Sequence, residues 1–124
     1  MDGGVHNHKQ LRVWCAARDL AVATYEATSR FPTVERFGLT SQMRRAAVSV
    51  AANLAEGAGR GSAAELKRFV RIASGSASEY ETHVIVAEQV GLLQPEPART
   101  LTDAIVSVKR MLYRLEKSLD AGSR

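Results

Sequence analysis

The sequence has 124 residues, 45% of them hydrophobic and 24% charged, with three prolines and nine glycines. That is the size and composition of one folded domain with its own core, and it excludes low-complexity and collagen-like chains. Seventeen basic residues against thirteen acidic ones give a net charge of +4, and thirteen of the seventeen are Arg, a side chain suited to bidentate contact with carboxylate or phosphate.

No run approaches the roughly 18 uninterrupted apolar residues of a membrane span, so no membrane role is expected. Residues 1–8 hold no apolar segment of the kind a signal peptide needs. A cytoplasmic location is expected, in keeping with the single Cys15, which has no intrachain disulfide partner.

Strand signals are nearly absent, with no sustained alternation and no Asn-Gly or Asp-Gly turn. Helical spacing dominates and predicts four helices. The first covers 10–30, with Leu11, Trp14, Ala17, Ala21, Tyr25 and Thr28 on one face. Phe31-Pro32 ends it, because Pro drives the preceding residue out of helical geometry. Phe37-Gly38-Leu39 reads as an apolar plug in the loop that follows.

The second helix covers 41–58, with Thr40 or Ser41 as its cap. Its inner face is Met43, Ala46, Ala47, Val50, Leu54 and Gly57, small enough for a neighbour to approach closely. Gly57, Gly59 and Gly61 terminate it. The third covers 62–91 and opens on Ser62-Ala63-Ala64-Glu65, a capping box in sequence. Leu66, Phe69, Val70, Ala73, Ser76, Ala77, Tyr80, Val84 and Ala87 form its stripe. Gly75 sits mid-helix, where Gly costs about 1 kcal/mol relative to Ala; a tight helix crossing would account for it. The fourth, over 97–119, follows Pro95-Glu96-Pro97 and carries Leu101, Ile105, Val108, Leu112, Leu115 and Leu119 in a narrow seam.

One apolar stripe per helix and short connections predict an all-α, antiparallel, up-down-up-down four-helix bundle. The bundle is expected over 10–119, with flexible tails at 1–9 and 120–124. Trp14, Tyr25, Leu54, Phe69, Tyr80, Ile105, Leu112 and Leu115 are its expected buried residues.

The chain resembles a family through Val13-Trp14, Phe31-Pro32, Glu35, Phe37-Gly38-Leu39, Ser41-Gln42, Arg44-Arg45-Ala46, Ser49, Ala52-Asn53, Ala55-Glu56-Gly57, Gly59-Arg60, Phe69, Ile72-Ala73, Gly75-Ser76 and Glu79, in that order. It is similar to the small four-helix bundle proteins encoded in intervening sequences of bacterial 23S ribosomal RNA genes, over about residues 11–119, and most specifically from Arg44 to Arg60. The resemblance implies a ring, a homopentamer, and no enzymatic activity. It also implies an architectural kinship with the accessory variability determinant of diversity-generating retroelements, a basic pentamer that works on nucleic acid beside a reverse transcriptase. Ala51 stands where members often carry Pro, which implies a weaker kink in the second helix.

Catalytic and metal chemistry find little to work with. Gly57-Ala58-Gly59-Arg60-Gly61-Ser62 precedes a helix N-terminus, as a phosphate cradle would. It follows a helix rather than a strand and lacks the P-loop lysine, so an interhelical turn is the better reading. A di-iron bundle needs two Glu-x-x-His motifs; Glu79 and His83 come closest at spacing four, without a second copy, and His6 and His8 lie in the expected tail. Cys15 lies off the main stripe, and no serine has a Gly-x-Ser-x-Gly setting. No catalytic residue, metal or cofactor is expected.

Gln42, Arg45, Ser49, Asn53 and Glu56 step by three or four along the second helix. With Glu79 they form either a solvated stripe or a hydrogen-bonded network at a helix or subunit interface; the resemblance favours the network, which would fix register more than add stability. Ile72, Ile85, Val86 and Val90 lie outside the core stripe of the third helix. A helix apolar on more than one side calls for cover from another subunit.

Antiparallel folding places 1–18, 55–74 and 112–124 at one end, with ten basic residues against five acidic, a balance of +5. The other end is near neutral, where Glu79, Glu81 and Glu88 lie level with Arg44, Arg45, Lys109 and Arg110 and are expected to form local ion pairs with them. The nucleic-acid-binding residues expected at the basic end are Arg60, Lys67, Arg68, Arg71, Arg114 and Lys117. The preferred reading is a non-enzymatic homo-oligomer that binds nucleic acid, RNA ahead of DNA. The alternative is a structural or protein-interaction scaffold whose charge serves solubility.

Overall fold

The computed structural model describes residues 7–122, with side chains to residue 120. Four helices make the fold: α1 (Arg12–Thr28), α2 (Leu39–Gly59), α3 (Ala63–Gln89) and α4 (Pro95–Gly122). Short 3-10 turns lie at His8–Gln10 and Thr33–Glu35. No strand occurs among the described residues.

Each helix packs on its chain neighbours, and α4 packs back on α1 to close the bundle. Contacts that join rising to falling residue numbers fix the antiparallel order. Lys67 pairs with Asp120, Arg71 with Glu116 and Lys109 with Glu81 between α3 and α4. Ser49 meets Ser76 between α2 and α3, and Arg44 meets Thr28 between α2 and α1.

The expected stripes of α2 and α4 form the core. Met43, Ala47, Val50, Leu54, Ile105 and Leu112 are fully buried. Burial of a large aliphatic side chain stabilises by about 1.5–3 kcal/mol. The α3 stripe is buried too, apart from Ser76, which is half-buried at the seam with α2.

Helix α1 corrects its expected face. Val13, Ala17, Leu20, Thr24 and Thr28 point inward. Trp14 and Ala21 are half-buried, and Tyr25 is 47% exposed. Thr24 and Thr28 tolerate the interior because their hydroxyls donate back to the carbonyls of Leu20 and Thr24, at 2.7 and 2.8 Å. Leu115 is likewise half-buried rather than buried.

The loop before α2 corrects two further expectations. Phe37 is 87% exposed, so no apolar plug forms. Neither Thr40 nor Ser41 caps α2; Gly38 holds that position, and Glu35 Oε1 reaches forward 3.2 Å to accept the Leu39 N–H. The cap on α3 is the expected one, with Ser62 Oγ accepting from the Glu65 N–H at 3.2 Å. Gly91, at φ +84°, ends α3 with Leu92 N–H bonded to Ala87 and Gly91 N–H to Glu88, the Schellman pattern.

Gly57 and Gly59 lie within α2 rather than capping its end, and Gly57 and Gly75 behave oppositely. A Cβ on Gly57 would lie 2.7 Å from Phe69 Cβ, so α2 and α3 cross tightly there. A Cβ on Gly75 would meet nothing within 4 Å, so the crossing expected at Gly75 is absent from the single chain. Helix α2 runs unbroken through Ala51.

Residues 1–6 and 123–124 of the expected tails lie outside the described residues. His8 belongs to a 3-10 turn, its ring edge-on to Trp14 with the ring centroids 4.8 Å apart, and α4 continues past residue 119.

Candidate functional site

The tight α2–α3 turn assembles the basic end. Arg60 ends α2, Gly61 turns the chain at φ +82° and Ser62 starts α3. The first turns of α3 then run beside the last turns of α4, so Lys67 and Arg71 face Asp120 and Glu116.

Carboxylates answer four of the six expected cations. Arg60 contacts Glu56 at 2.9 Å and Glu65 at 3.5 Å, and Arg68 contacts Glu65 at 3.3 Å. Lys67 pairs with Asp120, and Arg71 Nε donates to Glu116 at 2.8 Å. The Arg60 and Arg68 guanidinium groups also sit 5.1 and 4.5 Å from the Phe69 ring. The hydrogen bond from Arg68 holds the Glu65 carboxyl below its ordinary pKa, and Lys67 does the same for Asp120. The bond to Glu116 pushes Arg71 further up. Solvent screens such exposed pairs, so each is weak and an incoming phosphate can compete for the cation.

The other two, Arg114 and Lys117, lie exposed on α4 without an ion pair among the described residues. Arg110 and Tyr113 extend them into one stripe at helical spacing. Tyr113 is 61% exposed, and Lys117 Nζ lies 5.2 Å from its ring. Sequence reasoning placed Arg110 at the near-neutral end and did not single out Tyr113. Their i, i+3, i+4, i+7 spacing with Arg114 and Lys117 was the signal that could have found them.

The polar stripe of α2 divides in two. Ser49 and Asn53 form an interhelical cluster: Ser49 Oγ meets Ser76 Oγ at 2.8 Å, and Asn53 Nδ2 donates to the Ser49 carbonyl at 2.8 Å and to Ser49 Oγ at 3.0 Å. Glu56 turns instead to Arg60, while Gln42 and Arg45 are exposed. Glu79 Oε2 lies 3.9 Å from His83 Nε2, apart from the cluster, and His83 Nδ1 is buried without a hydrogen-bond partner among the described residues.

Two polar contacts were not foreseen. Thr24 and Tyr80 hydroxyls meet at 2.6 Å inside the core, tying α1 to α3. Arg44 clasps α1: Nε donates to Thr28 Oγ1 at 2.9 Å, and its guanidinium lies 4.3 Å from the Tyr25 ring. At the same end, Lys109 Nζ donates to Glu81 at 2.8 Å, the one expected ion pair there that forms among the described residues; Arg44 turns to α1 instead, and Arg45 and Arg110 point to solvent without a carboxylate partner among those residues.

Among the described residues, no three His, Cys, Asp or Glu side chains gather as a metal site. No helix is long and apolar enough to cross a membrane.

The sequence matches the 23S rRNA-intervening sequence proteins over residues 9–114. The chain belongs to this family. A crystal structure at 1.70 Å, described as a protein of unknown function from the S23 ribosomal protein family of Bacteroides thetaiotaomicron VPI-5482, has the same fold. Its TM-score is 0.76 at 19% identity, over 85% of this chain and 98% of that one. Identity at that level speaks for the fold alone. No curated protein matches the sequence. As a member of the intervening-sequence family, the chain carries the Arg44–Arg60 run on one unbroken α2, whose Arg44 holds α1 and whose Ser49 and Asn53 hold α3.

Proposed function

We propose that this chain is a non-enzymatic homo-oligomer that binds nucleic acid, RNA ahead of DNA, through its basic end. The observation that carries this reading is the α4 stripe of Arg110, Tyr113, Arg114 and Lys117, exposed and free of ion pairs among the described residues. Cations gain affinity by neutralising phosphates and releasing counterions, and an exposed aromatic ring offers a base a stacking face. Arg71 and Lys67 lie just across on α3, where their carboxylate partners can be exchanged for phosphate. Arg60 and Arg68 complete the edge.

Fluorescence anisotropy with a labelled single-stranded RNA at low salt tests this. Wild type is expected to bind, and R110Q/R114Q/K117Q is expected to bind about tenfold or more weakly. Binding unaltered by these changes would move the site elsewhere.

A second reading has its own support. Ile72, Val86 and Val90 are 42%, 43% and 63% exposed on one flank of α3, and Ile85 is 51% exposed on another. Apolar side chains so placed favour cover by a second protein surface. In the preferred reading that surface belongs to another copy, in the homopentamer the family resemblance implies. In the alternative the bundle is a scaffold for a different protein, and wild type binds no RNA or DNA even at low salt.

A further inference from the structure

The cluster of arginines with fewest carboxylates lies at the opposite end of the bundle, beside the start of α2. Arg36, Thr40, Ser41, Arg44 and Arg45 line one open depression of about 540 Å3, together with Tyr25, Val48 and Ser49. No carboxylate lines it. The nearby Glu35 is engaged with the Leu39 N–H. Three guanidinium groups therefore gather without an ion pair among the described residues.

Two further features make this more than a charged patch. Thr40 lines the depression and is only 8% exposed, yet its hydroxyl has no hydrogen-bond partner among the described residues. The hydroxyl oxygen itself is not sealed from solvent, so it can donate to a molecule seated in the depression. Arg44 is also held in place, since Nε donates to Thr28 Oγ1, Nη2 donates to the Tyr25 carbonyl at 3.4 Å, and its plane covers the Tyr25 ring. That leaves Nη1 to offer elsewhere. The N–H groups of Thr40 and Ser41, in the first turn of the 21-residue α2, find no acceptor among the described residues. Guanidinium forks, a hydroxyl donor and free helix N–H groups together suit an anion with several oxygens pointing in different directions.

We propose that this depression binds a phosphate group, with Arg36, Arg44 and Arg45 as the cationic wall and the Thr40 hydroxyl as a donor. The site is separate from the α4 stripe and stands or falls without it. The phosphate is either free or part of a nucleic-acid backbone, and the chemistry of recognition is the same.

Isothermal titration of the full chain with sodium phosphate, against sodium chloride at equal ionic strength, tests the proposal. A saturable heat is expected with phosphate and not with chloride. R36Q/R45Q is expected to weaken phosphate binding about tenfold or more, since both side chains are exposed and hold no hydrogen bond of the fold. Thr40→Val, which keeps every charge, is expected to weaken it several-fold. R110Q/R114Q/K117Q is expected to leave it unchanged, which separates this site from the basic end. A phosphate heat no different from chloride, or an affinity untouched by R36Q/R45Q, would overturn the proposal. Displacement by phosphate of short single-stranded RNA from R110Q/R114Q/K117Q protein identifies a backbone phosphate as the source. Phosphate binding without such displacement identifies free phosphate.

Discussion

A buried hydroxyl must be answered, and the Thr24–Tyr80 pair shows how this core does so. Thr24 Oγ1 donates to the Leu20 carbonyl at 2.7 Å, which leaves it to accept from the Tyr80 O–H at 2.6 Å. The two substitutions that break the contact are therefore unequal. Tyr80→Phe removes a donor whose acceptor keeps its other bond, at about 0.5–1.5 kcal/mol. Thr24→Val leaves the Tyr80 hydroxyl buried and unanswered, at about 1–3 kcal/mol. Denaturant unfolding is expected to rank Thr24→Val as the worse. Burial also pushes the Tyr80 phenol up to about 12. Its neutral form is favoured in the folded state, so this contribution is complete below the ordinary phenol value near 10 and is lost as pH rises toward 12. Stability is expected to decline by of order 2–3 kcal/mol over that window, and Tyr80→Phe is expected to remove that part of the decline. This pair was not legible in the sequence. Two faces of α1 run through Ala17 and Thr28, one with Trp14, Ala21 and Tyr25 and the other with Val13, Leu20 and Thr24; helical spacing fits both, and the larger aromatic side chains point to the first.

At the scale of the helices, the two glycines give opposed predictions. Gly57→Ala places a methyl 2.7 Å from Phe69 Cβ and 3.3 Å from Leu66 Cα, where backbone cannot yield cheaply. A destabilisation of about 1–3 kcal/mol is expected. Gly75→Ala meets open space and gains helix propensity, so a stabilisation of about 0.5–1 kcal/mol is expected. Thermal melts of the two variants check both. The sequence revealed helix number, order and most boundaries, because each stripe repeats over several turns. It also revealed Gly57, whose neighbours on the inner face are small. It failed at Gly75 and at Phe37, where a single residue was read without knowing which way it pointed. Phe37 is exposed because Glu35, rather than an apolar plug, secures the start of α2.

For the whole molecule, the charge sorting by antiparallel order was legible, but the pairing within the basic end was not. Counting gave an excess of cations there; geometry shows Arg60, Lys67, Arg68 and Arg71 engaged with Glu56, Glu65, Asp120 and Glu116. Partners four residues away are visible in sequence, whereas Lys67–Asp120 and Arg71–Glu116 need the register of α3 on α4. The exposed flank of α3 belongs to this scale too. Light scattering at micromolar concentration is expected to report about 68 kDa, five times the 13.5 kDa chain, if five copies cover one another's flanks. A stable monomer would leave Ile72, Val86 and Val90 unexplained by self-assembly. The most direct measurement is the affinity for single-stranded RNA as salt is raised, in wild type and in R110Q/R114Q/K117Q. Wild type is expected to give a straight log–log decline, and the variant a slope shallower by about 0.7 for each phosphate it no longer neutralises. Equal slopes, or no RNA binding at low salt, would contradict a nucleic-acid role for the basic end.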